Sequence, residues 1–91
     1  MRKYIIEREM TGVGKSTDQE LKAASARSNQ VLTELGQGIQ WQSSYVAGDK
    51  IYCVYLAENE GLIRQHSKQS GFPADRITEV RAVLDPASAG M

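Results

Sequence analysis

The stretch from Ile39 to Ala57, IQWQSSYVAGDKIYCVYLA, limits the possible folds more than any other part of the chain. Residues 39–46 alternate apolar and polar side chains, the pattern of a half-buried strand. Residues 50–57 are rich in aromatic and β-branched residues, which suit a pleated surface. Gly48-Asp49 between them is a tight-turn signal. The centre of the chain is therefore a β-hairpin, and the rest must cover it.

Each flank supplies one helix and one strand. Residues 18–35 carry Leu21, Ala24, Ser28, Val31 and Leu35 at alternating spacings of three and four, so they share one helical face. Gly36 is the expected left-handed stop. Residues 60–70 read as a second helix, capped by Asn59 and ended by Gly71 and Pro73. Residues 3–9 (KYIIERE) and 76–84 (RITEVRAVL) read as the outer strands of the sequence. The order βαββαβ implies an α+β, ferredoxin-like sandwich: an antiparallel sheet with both helices on one face. Residues 1–85 form one domain, and 86–91 a flexible C-terminal tail.

In that architecture the second sheet face has no cover. Simple alternation along the hairpin puts Trp41, Tyr45, Tyr52 and Val54 on one side and Gln42, Ser44, Cys53 and Tyr55 on the other. Both sides carry aromatic surface that water solvates poorly. The expectation is a homodimer closed through the bare sheet face, an α/β-barrel-like assembly.

Composition narrows the partners. Eleven basic and eleven acidic residues cancel, and no basic cluster stands out, which argues against nucleic acid or an anionic membrane as partner. No apolar run approaches the length of a membrane-spanning helix, and MRKYIIERE lacks the apolar core of a signal peptide. A lone cysteine, Cys53, excludes an intrachain disulfide. A cytoplasmic location is expected.

The run TGVGKST, residues 11–17, resembles the end of a phosphate-binding loop. The first glycine of that motif would fall at position 9, where Glu9 would repel phosphate. A mechanical role is expected instead: Gly12 and Gly14 make a turn, and Thr17-Asp18-Gln19-Glu20 is a capping box.

Few residues carry chemistry. His66 is the only histidine and Cys53 the only thiol. His66 borders the apolar face of the second helix, which crosses near the third strand, so imidazole and sulfur can meet if Cys53 points to the helices. Such a pair suits zinc, copper or nickel, or an activated thiol. The plain alternative is an inert core cysteine beside a histidine bonded to a carbonyl. One His and one Cys do not complete a metal site, so carboxylates or a second subunit must add donors. Glu7 and Glu79 are the strand carboxylates that pairing of the outer strands would bring together, with Arg81 as counter-ion.

The segments DKIYCVY, IRQH and GFPADR, with YIIERE and GVGK near the N-terminus, resemble a small bacterial family of unknown function that includes a nickel-binding, dimeric, ferredoxin-like protein. The positions that match its shared segments are Glu7, Tyr45, Tyr52, Cys53, Tyr55 and His66. The resemblance implies nickel as the bound ion, with zinc or copper possible, and nickel sequestration or detoxification rather than catalysis. The candidate ligands are His66 first, then Cys53, then Glu7 and Glu79. The alternative is a small dimeric enzyme of monooxygenase or isomerase type. Its cavity between sheet and helices would be lined by Tyr55, Trp41 and Tyr45, with His66 or Glu7 moving the proton.

Overall fold

The computed structural model describes residues 1–90; Met91, the last residue of the expected tail, lies outside them. Strand β1 (Arg2–Glu9) leads through a short 3-10 turn (Val13–Lys15) into helix α1 (Asp18–Leu35). The hairpin β2 (Ile39–Ala47) and β3 (Lys50–Ala57) follows, then helix α2 (Glu60–Ser70) and strand β4 (Arg76–Glu79). The sheet order is β2-β3-β1-β4, antiparallel throughout. This is the α+β ferredoxin-like arrangement expected from the sequence. Residues Pro86–Gly90, in the expected tail, coil into a 3-10 turn with no buried residue.

Period two along the central strands sorts the core. Tyr4, Ile6 and Arg8 of β1 and Cys53, Tyr55 and Ala57 of β3 are buried against the helices. Lys3, Ile5 and Glu7, with Tyr52 and Val54, face the other way. Helix α1 contributes buried Ser28 and Val31, and α2 buried Ile63 and His66. The two helices are joined at one end by Arg27, whose Nε donates to the Ser70 carbonyl at 2.6 Å. Thr17 and Glu20 form the expected capping box, and Asn59 Oδ1 accepts from the Leu62 N–H at 3.0 Å. Gly36 ends α1 at φ 88 and ψ −156, so its φ is positive but its conformation is not the left-handed one expected.

Two expectations about the strands are corrected. First, β2 does not alternate strictly. Trp41 pairs with Tyr55 but Ser43 with Val54, so Gln42 is an inserted residue. A bulge of this kind advances every later side chain by one face. Trp41 and Ser44 consequently both lie on the helix side, opposite Tyr55 and Cys53, and Trp41 does not join Tyr45 and Tyr52 on the bare side. Second, β4 stops at Glu79 rather than running to residue 84. Glu79 pairs with Tyr4, and one further backbone bond, from the Val80 N–H to the Lys3 carbonyl at 2.8 Å, follows before the chain leaves the sheet. Residues 80–83 then cross toward the uncovered face, where Val80, Ala82 and Val83 share a shallow hollow with Ile5, Tyr45 and Val54.

The phosphate-loop lookalike is a clasp on the hairpin turn. The Gly14 N–H donates to the Gly48 carbonyl and the Met10 N–H to the Asp49 carbonyl, each at 2.8 Å. The Gly12 N–H donates to Asp49 Oδ1 at 2.8 Å. Donors that would face a phosphate are thus already committed within the chain. A Cβ on Gly14 would lie 2.6 Å from the Gly48 carbonyl oxygen, so a backbone must shift to admit one. Gly14→Ala is expected to lower unfolding free energy by about 1–3 kcal/mol in a denaturant titration. Lys15→Ala, at an exposed position, should change it by no more than about 0.5 kcal/mol.

Candidate functional site

The helix-facing side of the central strands carries polar groups as well as apolar ones. Arg8 follows Tyr4 and Ile6 in the inward register of β1, and only 2% of its surface is exposed. Its Nε donates to Cys53 Sγ on the adjacent strand at 3.4 Å. Its Nη1 donates to Ser67 Oγ of α2 at 2.9 Å and to the Pro73 carbonyl at 2.7 Å, with the Phe72 carbonyl at 3.4 Å. One guanidinium therefore joins β1, β3, α2 and the segment that leads into β4. None of these acceptors is a carboxylate, and none of the ion pairs among the described residues includes Arg8. Its Nη2 is buried with no partner.

Cys53 accepts a second hydrogen bond, from Ser44 Oγ at 3.0 Å, and Ser44 in turn accepts from Trp41 Nε1 at 2.9 Å. The bulge in β2 makes this chain of contacts, because it brings Trp41 and Ser44 to the same face. A second cluster lies beside it. Ser28 Oγ is 3.0 Å from His66 Nε2 and 3.4 Å from the Tyr55 hydroxyl. The Tyr55 and His66 rings are tilted at 55° with centroids 5.4 Å apart. Burial raises the Tyr55 pKa, against the pull of its hydrogen bond to Ser28. His66 is 1% exposed, and its Nδ1 has no partner. Desolvation, then the nearby Arg8 charge, lower the His66 pKa to about 4, while its hydrogen bond with Ser28 works in the opposite direction. At neutral pH the ring is uncharged.

Between the sheet and α1 these groups border a partly open cavity of about 300 Å³. Arg8, Cys53, Tyr55, Ser28 and Trp41 belong to its lining, and Leu21, Ala24 and Phe72 make its walls largely apolar. Tyr55 and Trp41 lie where a cavity was expected to use them. Tyr45, which was expected beside them, is on the opposite face with Tyr52, because of the bulge. His66 stands behind Ser28 and Tyr55 rather than in the lining.

The four candidate metal donors are spread over the fold. Cys53 and His66 both face the helices, but they belong to different clusters, and no hydrogen bond among the described residues links them. Glu7 lies on the uncovered face and pairs in register with Arg76, with Lys50 Nζ at 3.6 Å and Arg76 Nε at 4.0 Å. Glu79 pairs with Tyr4, not with Glu7, and meets Arg2 at 3.5 Å. Three register positions, an odd number, separate the two carboxylates and put them on opposite faces, so the expected Glu7–Glu79–Arg81 trio does not form. Among the described residues no group of three or more His, Cys, Asp or Glu side chains is placed to hold a metal ion. No helix of the described residues is long and apolar enough to cross a membrane.

A family model described as "Nickel responsive protein SCO4226-like" matches residues 4–80. The chain belongs to this SCO4226-like family. Its fold is similar to that in the crystal structure of SCO4226 from Streptomyces coelicolor A3(2), with a TM-score of 0.75 and 18% sequence identity. That match covers 90% of this chain and 99% of the other, and at such identity it speaks for the fold alone. No curated protein matches the sequence.

Sequence reasoning passed over Arg8, Ser28 and Ser44. The signal for Arg8 was present: Tyr4, Ile6 and Arg8 are spaced by two and share the inward face. The histidine gives a testable consequence. Its folded pKa lies below the unfolded value of about 6.5, so the folded state binds fewer protons between these values. Stability from this group is present above about pH 6.5 and is lost as pH falls toward 4, by up to about 3 kcal/mol. Denaturant titrations across that range should show a shallower acid loss in His66→Gln than in the wild type.

Proposed function

We propose that this chain is a metal-binding protein that responds to nickel, works as a homodimer and sequesters the ion, or lowers its free concentration, rather than transforming a substrate. Membership in a family described as nickel responsive carries this reading. The geometry adds a condition. With no three-donor group in one chain among the described residues, a tight site draws donors from a second copy.

The uncovered sheet face supports that second copy. Tyr45 and Ile5 are 62% and 40% exposed there, on the side that neither helix covers. Glu7, half-buried on the same face, is the proposed donor nearest such a contact, and Glu79 at the exposed edge strand comes next. Cys53 and His66 are softer donors held inside the layer, so their part in the site requires α2 to move away from β3. The enzymatic alternative has one observation in its favour, the cavity bordered by Tyr55 and Trp41. Neither of the proton-transfer groups expected for it lines that cavity: Glu7 is on the far face and His66 is behind the wall.

Calorimetric titration with nickel chloride is expected to give saturable heat for the wild type, with affinity reduced about tenfold or more in Glu7→Gln. Sedimentation should report a dimer, and Tyr45→Arg should lose dimerisation and nickel binding together. Wild-type heat no larger than dilution, or undiminished nickel binding by a Tyr45→Arg monomer, would overturn the proposal.

A further inference from the structure

The most unusual feature of the layer between sheet and helices is its cation. A guanidinium withdrawn from water costs several kcal/mol unless an anion or a full set of hydrogen bonds compensates. Arg8 has neither: none of its partners is a carboxylate, and Nη2 has no partner at all. It lies in the lining of a cavity whose other walls are mostly apolar.

We propose that this cavity binds a small organic monoanion, a carboxylate on a compact apolar or aromatic body, with Arg8 as its charge partner. The single cation sets the charge at one. The exposed Glu20, which belongs to the same lining, disfavours a second negative charge at that end. The volume, about 300 Å³, is at the low end for ligand pockets and fits a one-ring molecule. Leu21, Ala24, Trp41 and Phe72 offer the surface for such a ring, and the Ser28 hydroxyl belongs to the same lining. The neutral state of His66 is consistent with a layer that holds one positive charge already and admits no second. This ligand site is independent of the nickel reading: it lies on the helix-covered side of the sheet, away from Glu7 and the bare face.

Trp41 is the only tryptophan and lines the cavity, so its fluorescence reports the occupant. Titration of the full chain with benzoate should give a saturable change. Benzamide, which has the same shape without the charge, should bind about tenfold or more weakly, because it accepts a hydrogen bond from Arg8 but cannot form the ion pair. Arg8→Met should reduce benzoate affinity to the level of benzamide. If Arg8→Met does not fold, Ala24→Phe serves instead: it fills the cavity, keeps Arg8 and should abolish the saturable response while circular dichroism stays native. The proposal is overturned if benzoate gives no saturable response, if benzoate and benzamide bind alike, or if a folded Ala24→Phe binds benzoate as the wild type does.

Discussion

A guanidinium held inside the protein without a carboxylate organises this fold more than any other single group. Arg8 reaches from the central strand β1 to Cys53 on β3, to Ser67 on α2 and to the Phe72 and Pro73 carbonyls before β4. These are the four pieces that must agree for the helices to sit on one face of the sheet. Hydrogen bonds to a charged donor are stronger than neutral ones, and a low-dielectric surrounding amplifies them. The same surroundings make the unmatched Nη2 costly, and Arg8 is also part of the lining of the cavity between the sheet and α1.

The charge also governs its neighbours. Positive potential at Arg8 joins desolvation in keeping His66 neutral, and His66 is then free to take a hydrogen bond with Ser28 and to lie against Tyr55. Cys53, with two donors aimed at its sulfur, is tied into the layer rather than offered to solvent. The interior chemistry is thus directed at Arg8 and its cavity. The carboxylate suited to a hard or borderline ion, Glu7, is on the other side of the sheet. Two faces of one sheet thus carry two kinds of chemistry.

The sequence patterns made much of the architecture legible and left the site largely hidden, for physical reasons. Helix α1 and helix α2 begin and end where capping residues and terminal glycines placed them, because those signals act locally within a turn. The departure of the TGVGKST run from a phosphate-binding loop is legible at Glu9, and its clasp on the hairpin turn is not. The bulge at Gln42 was invisible, since an inserted polar residue among polar neighbours leaves the alternation looking intact. That one insertion moved Trp41 into the cavity and left Tyr45 outside it. The end of β4 was equally out of reach, because residues 80–84 keep an apolar and polar mix that reads as strand although the chain leaves the sheet after Glu79. Arg8 was passed over because an arginine among KYIIERE carries no motif, although its register with Tyr4 and Ile6 points inward.

Nitrogen–proton correlation spectra of the Arg8 side chain examine the buried charge at the atom concerned. If Arg8 is a fixed guanidinium awaiting an anion, its Nε–H and Nη–H signals should be protected from exchange in the free protein. Benzoate should then shift one Nη pair downfield with the saturation seen at Trp41. Averaged, rapidly exchanging Arg8 signals that do not respond to benzoate would contradict this account of the interior.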